Sequence, residues 1–389
     1  MIYFDNAATT GMKPQGVIKA VSNSLKNYSA NPGRGGHKPS IEASELVYGV
    51  REKAAKLFGA SGPENVVFTL NCTHSLNAVI KGVLHMGDHV IVSSVEHNAV
   101  MRPLKKIGVS FDLFKVSLSD DNETLKDFIR KIKPNTRLVI CTGASNVTGK
   151  ILPIAEIGEI CRKRGILFCV DAAQIAGVLP VNMQEMNIDY LCVAPHKGLY
   201  APMGTGILIC EKPIGNTILE GGTGTNSLEL IQPETLPERL ESGTVNLPGI
   251  AGIGAGIDFV NQMGTERIYN HEMRLTSLIY GGLKNNPNII LYTPDPKMYK
   301  YAPVLSFNFK GVPSTTTAAL LSQNGFALRG GLHCAPMAHR QLNTAESGTV
   351  RLSVGVFNSI AQAESFIRLI NNEKFIKKLK KAIEPKDIL

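Results

Sequence analysis

The chain has 389 residues, 43% of them hydrophobic and 19% charged, with 37 glycines and 21 prolines. That is enough for two domains with substantial cores, and it excludes a disordered or fibrous protein. The net charge of +9 comes without aromatics interleaved among the basic residues, so no single-strand nucleic-acid groove is expected. No apolar run reaches the ~18 residues needed to cross a bilayer.

The N-terminus, MIYFDNAATT, lacks a basic flank followed by an apolar stretch, so export by a standard signal is not expected. Seven cysteines, an odd number without paired spacing, read as reduced thiols in a cytoplasmic setting. Short apolar strands then alternate with helical stretches, the pattern of a mostly parallel sheet covered on both faces. Strands are predicted at 65–70, 89–93, 137–142, 167–171 and 190–193, with 206–210 hairpinned back onto the sheet. Helices are predicted at about 75–84 and 100–107. Residues 221–248, rich in Gly, Thr, Asn and Pro, read as a long functional loop. A helical stretch over roughly 250–284 leads into a smaller αβ unit: strand 304–309, helix 315–322, strand 349–354 and helix 359–371. The extreme N-terminus is expected to pack on this unit. Six lysines between Glu373 and Leu389 read either as a solvated helix face or as a docking patch for an acidic partner.

In parallel α/β sheets, ligands bind outside the carboxyl ends of the strands. The polar residues of the first half gather there: Cys72-Thr73-His74, Glu96-His97-Asn98, Ser145-Asn146, Asp171 to Gln174, and His196-Lys197. Lys197 is either a surface charge or a lysine whose burial suits it to a Schiff base. The aldehyde partner would then be pyridoxal phosphate (PLP), which needs an acid to hold its ring nitrogen protonated. Asp171, closing an apolar strand, is placed for that or for capping a helix. Gln174 could bond the phenolic oxygen or lie on the surface. Thr73, between a strand and a helix, could cap the helix and hold a phosphate together. His97 reads as a structural histidine or as one stacked on a flat cofactor. Asn146 reads as a turn residue or as a hydrogen bond to the cofactor's ring oxygen or to the substrate.

In the smaller unit, LRGGLHCAPM places Cys334 in a polar, glycine-rich loop beside His333 and Arg329, where a nucleophilic thiol is plausible chemistry. Cys141, Cys161, Cys169, Cys192 and Cys210 lie in or beside apolar segments and read as packing residues. Cys72 could pack or lend its backbone amide to a phosphate. Arg351, inside a strand pattern, wants a carboxylate: an internal salt bridge or a bidentate grip on a substrate α-carboxylate. His85 and His89 span a helix end and a strand start and do not share a helical face, so no metal site is expected there.

The ordered set YFDNAATT, VDAAQ, APHKGLYAPMGTG, ESGTVN and RGGLHCAP resembles PLP-dependent class V aminotransferase-fold enzymes. It is most similar to the branch of cysteine desulfurases and selenocysteine lyases, and within it to SufS-like (group II) desulfurases. The resemblance covers essentially the whole chain. It implies an α/β protein of PLP-dependent transferase fold type I. A large PLP domain over residues 15–250 would carry a mainly parallel seven-stranded sheet, and a small α/β domain from 1–14 and 251–389 would carry the acceptor cysteine. It also implies a homodimer with sites at the subunit interface.

Carried onto this sequence, the resemblance makes Lys197 the Schiff-base lysine, Asp171 the partner of the ring nitrogen, Gln174 the contact to the phenolic oxygen and His97 the stacked ring. Thr73, His196 and the backbone near Cys72 would hold the phosphate, with Thr244 reaching across from the neighbouring subunit. Asn146 and Arg351 would orient the substrate, with Arg329 close by, and Cys334 would accept sulfur from L-cysteine as a persulfide. A small acceptor protein would then draw the sulfur onward, toward uses such as iron–sulfur cluster assembly. Three positions depart from the family pattern or match it loosely. Ala194 stands where a phosphate-binding hydroxyl is common, His74 where an acidic residue is common, and His37 falls loosely where a histidine approaches the active site. A selenocysteine lyase or a class V aminotransferase remains an alternative.

Overall fold

The computed structural model describes residues 1–28, 30–33, 35–225 and 227–382, and these fall into two compact units. The larger comprises Met12–Gly143 and Leu152–Glu266. Its sheet has seven strands among the described residues, in the order Val66–Thr69, Gly206–Cys210, Tyr190–Val193, Leu167–Asp171, Thr136–Thr142, His89–Ser93, Ser110–Phe114. All run parallel except Gly206–Cys210, which is antiparallel to both neighbours. Strands His89–Ser93, Tyr190–Val193 and Gly206–Cys210 are buried at every position, and Leu167–Asp171 and Thr136–Thr142 at all but Leu167 and Arg137, so they read as nearly continuous apolar runs and not as alternating ones. The edge strand Ser110–Phe114 (SFDLF) is the exception. It is partly exposed, and its Ser and Asp hide it from any search for apolar runs.

One face of the sheet is covered by helices Cys72–Val83 and Asn98–Ile107, whose Leu76, Val79, Val83, Val100 and Leu104 share a core with Val90, Leu138, Cys169 and Cys192. The first helix starts three residues before its predicted start because Asn71 supplies the cap. Helix Leu247–Met263 packs with helices Gln15–Asn27 and Lys38–Phe58. Its glycines permit the close approach: a Cβ on Gly254 would lie 2.7 Å from Val50, and one on Gly256 would lie 1.8 Å from the Leu199 carbonyl oxygen.

The smaller unit comprises Met1–Gly11, Ala144–Ile151 and the chain from Arg267 onward. An antiparallel sheet orders Arg329–Gly331, Thr349–Ser353, Val304–Phe309 and Ile289–Leu291. Ile2–Tyr3 pairs in parallel with Phe326–Ala327, and Phe4 is buried against Phe326 and Phe366. The N-terminus thus packs where the sequence placed it. Helix Glu373–Lys381 buries Phe375 and Leu379 and exposes its lysines, as either reading of the run requires; Lys386 lies outside the described residues.

Three boundaries differ from expectation. The N-terminal segment of the smaller unit ends at Gly11, not at residue 14. The helical stretch breaks at Gly264 (φ 81°), and the units divide between Glu266 and Arg267, not at 250, because the glycine-lined helix packs inside the larger unit. Residues 144–151, expected with the large domain, belong to the smaller unit. Ala302 N–H donates to the Gly149 carbonyl (2.7 Å), and Ser306 Oγ donates to the Val147 carbonyl (2.6 Å). No helix among the described residues is long and apolar enough to cross a membrane.

Candidate functional site

In the larger unit, strand Leu167–Asp171 ends in a carboxylate that is 4% exposed. Its Oδ1 accepts the Ala173 N–H (2.9 Å) and the Cys72 S–H (3.5 Å), while Oδ2 has no hydrogen-bond partner among the described residues. Cys72 opens the helix that follows strand Val66–Thr69. Burial and the Asp171 charge hold its thiol well above the usual range, opposed by the charge of Lys197, so these three side chains neighbour one another. The Asn71 side chain caps only the His74 N–H (2.9 Å). The N–H groups of Cys72 and the exposed Thr73 therefore stand at the positive end of the helix. His74 Nδ1 accepts the Leu70 N–H (3.3 Å), one residue before the capping Asn71. Gly206 lets the antiparallel strand pass this turn, since a Cβ there would meet the Asn71 carbonyl carbon at 2.5 Å.

His97 caps helix Asn98–Ile107 by accepting the Ala99 N–H on Nδ1 (3.0 Å). That bond places the proton of the neutral ring on Nε2. Lys197 is half-buried on a tight loop, its N–H bonded to Ala194 and its carbonyl to Tyr200 N–H. Gly198 locks this loop against the turn after Asp171, because a Cβ there would sit 2.1 Å from the Ala176 carbonyl oxygen. Gln174 is half-buried on that same turn, and Thr244 is exposed beside Gly243. His196 is pushed down to about 4 by burial and by the charges of Lys197 and Lys13, so its ring is neutral. His37 caps helix Lys38–Phe58, accepting the Ser40 N–H on Nδ1 (3.3 Å), and is exposed.

In the smaller unit, Arg351 is 1% exposed in the middle of its sheet. Nη2 pairs with Asp5 (2.7 Å), Nη1 donates to the Asn146 carbonyl (3.2 Å) and Nε has no partner. Both readings of Arg351 therefore start from an internal pair, with donor capacity left over. Arg329 lies directly opposite Arg351 across the ladder, so two guanidiniums share one face and Asp5 neutralises only one. Asn146 Nδ2 donates to the His333 carbonyl (2.8 Å). His333 is buried, and its Nε2–H donates to the Thr349 carbonyl (2.9 Å). Burial, then Arg351, push it down to about 2. Cys334 is exposed. His333 (φ 50°) and Cys334 (φ 57°) both sit in the left-handed region, which is strained for residues with a Cβ. Cys141, Cys161, Cys169, Cys192 and Cys210 are buried.

A model of the class V aminotransferase family matches residues 2–366. The chain belongs to that family. A relative from Methanothermobacter thermautotrophicus named as a probable cysteine desulfurase is 33% identical over 371 residues, covering 92% of this chain and 91% of its own. A Synechocystis relative with the same name is 30% identical over 380 residues, covering 95% and 90%. The solved apo structure of a cysteine desulfurase from Thermococcus onnurineus NA1 matches with a TM-score of 0.88 at 32% identity, covering 97% of this chain and 95% of that one. The cysteine desulfurase CsdA from Escherichia coli matches at 0.85 and 25%, again covering 97% and 95%.

Membership of the class V family implies PLP, and the larger unit has the donors for it. Asp171 offers a buried carboxylate with one open oxygen for a protonated ring nitrogen. The helix that begins at Cys72 offers N–H groups for a phosphate. Ala194, 4% exposed, contributes no hydroxyl, so a phosphate there would need other donors. Lys13 carried no sequence signal beyond preceding Pro14, yet its Nζ donates to the His196 carbonyl (3.1 Å), and burial lowers it to about 8. It thereby anchors the backbone next to Lys197.

Proposed function

We propose that this protein is a PLP-dependent cysteine desulfurase, which removes sulfur from L-cysteine to leave L-alanine and a persulfide on Cys334. One observation carries this reading beyond family membership. The buried Asp171, pinned through Oδ1 with Oδ2 open, lies on the turn into which Gly198 of the Lys197 loop is packed. When bound, PLP withdraws electrons from the substrate's Cα. Lys197 would hold the cofactor covalently and move the substrate's Cα proton. Asp171 would keep the ring nitrogen protonated, Gln174 would meet the phenolic oxygen and His97 would pack on the ring. The amides of Cys72 and Thr73, with His196 and a partner-reaching Thr244, hold the phosphate.

Arg351, with Arg329, binds the substrate carboxylate, Asn146 orients the substrate and His37 stands toward the entrance. The Cys334 thiolate then bonds to the substrate sulfur as the Cβ–Sγ bond breaks. The carbon skeleton leaves as alanine and the sulfur stays as Cys334–S–SH. Large exposed apolar residues on the larger unit support a homodimer. Ile41 and Tyr48 lie seven residues apart on one helix face, and Leu228, Leu230 and Ile231 stand on the 221–248 loop. A small protein that accepts sulfur from the exposed Cys334 completes the proposal.

The test is to load the purified protein with PLP, supply L-cysteine or L-selenocysteine, and score alanine and trapped persulfide. Alanine and persulfide from L-cysteine, with persulfide lost in Cys334→Ser, is the expected result. Alanine from L-selenocysteine alone would make it a lyase for that amino acid. Amine transfer to a keto acid, with Cys334 idle, would make it an aminotransferase.

A further inference from the structure

Glu96 is fully buried immediately before His97. Its Oε1 accepts two hydrogen bonds, from the Ser93 hydroxyl and from the Thr142 N–H (2.8 Å), while its buried Oε2 has no partner. No ion pair reaches it among the described residues. The same strand end continues the chain of bonds: Thr142 Oγ1 donates to the Asp171 carbonyl (3.5 Å) and Gly143 N–H donates to it as well (2.9 Å). Three adjacent strand ends, carrying His97, Thr142–Gly143 and Asp171, are thus tied in one network that runs through a single carboxyl group.

We infer that Glu96 is a positioning residue for the cofactor: as an uncharged carboxylic acid it holds the His97 strand end in register with the Asp171 strand end, leaving Asp171 as the one anion presented to the ring nitrogen. This rests on the PLP reading above. A buried carboxylate without a cation is costly, and a second carboxylate nearby makes it costlier. The titratable groups facing Glu96 are Cys141 on the adjacent strand and Asp171 on the strand beyond it, both of which favour the acid form. Burial pushes Glu96 up to about 8, against the opposing hydrogen bonds from Ser93 and Thr142. Asp171 differs from Glu96 in its contacts: its Oδ1 has two donors and its Oδ2 is open.

The experiment uses full-length Glu96→Gln and Glu96→Ala. The readouts are the visible band of bound PLP, its titration from about pH 6 to pH 10 and the apparent PLP dissociation constant. Gln imitates the neutral acid, so Glu96→Gln should keep the wild-type band at pH 7 and bind PLP within about twofold, yet lose the spectral change near pH 8. Glu96→Ala should shift the band and weaken PLP binding about tenfold, the scale of one lost buried hydrogen-bonded group. A folded Glu96→Ala with the wild-type band and titration would overturn the inference. So would a Glu96→Gln as damaged as the alanine variant, or one that still titrates near pH 8; these last two decide the matter even if Glu96→Ala does not fold. A wild-type protein that binds no PLP would instead remove the functional reading beneath it.

Discussion

The larger unit's strand ends and the smaller unit's Cys334 loop solve opposite problems. Around Asp171 every element is held from behind: the carboxylate by Ala173 and Cys72, the Lys197 loop by Gly198 and Lys13, and His97 by its own helix cap. Around Cys334 the anchoring is indirect. The buried His333, fixed by Thr349 and Asn146, carries the thiol next door into solvent on two consecutive left-handed residues. A group that must bind a cofactor in one geometry gains from preorganisation. A group that must take an atom and pass it on needs access instead.

Breaking each region separately should therefore give different signatures. Lys197→Ala should abolish the visible band of bound PLP and lower alanine formation by at least about 10³-fold. Cys334→Ser should stop persulfide trapping just as fully and leave the band where it was. A band that moves in the second variant would mean that the two regions are not independent.

Asn146, read as a turn residue or as a bond to the cofactor or substrate, sharpens the comparison because its Nδ2 donates to the His333 carbonyl. Asn146→Ala should slow persulfide formation about tenfold, the scale of one lost hydrogen bond, with no change in the band. A shifted band with normal persulfide transfer would point to a bond to the cofactor instead. Gly198→Ala probes the other side: a methyl group 2.1 Å from the Ala176 oxygen forces the Lys197 loop to move. It should cost about 1–3 kcal/mol of stability in a denaturant titration and weaken PLP binding.

The parts of this architecture that follow from local chemistry were legible in the chain. Continuous apolar runs marked the central strands, and Asp171 at the end of LFCVD marked where they terminate. What was not legible depends on partners distant in sequence. Residues 144–151 join the smaller unit through contacts to 300–306, and nothing in ASNVTGK announces them. The helix after Leu247 reads as part of one long helical stretch until its glycines are seen against Val50 and Leu199. Lys13 looks like any surface lysine until its ammonium is found on the carbonyl before Lys197. Glu96 appeared as one more polar residue at a strand end. Its role emerges only from the burial that strips it of a cation.

The smallest effect separates the units by pH. The smaller unit has its own buried acid, Glu272, which accepts the Val356 N–H and is pushed up to about 8 by burial. Between the ordinary glutamate value of about 4.3 and that point, the native state holds a proton that the unfolded chain has lost, so stability falls as pH rises through this window. Glu272→Gln removes that slope. Its melting temperature should match wild type near pH 4 and exceed it by on the order of 5 °C at pH 8, while the visible band of bound PLP stays at its wild-type position throughout. Glu96→Gln should show the same gain in stability and in addition change how the band titrates. Only Glu96 is tied to the strand ends where the cofactor would sit, so a Glu272 variant that altered the band would contradict the division of labour between the two regions.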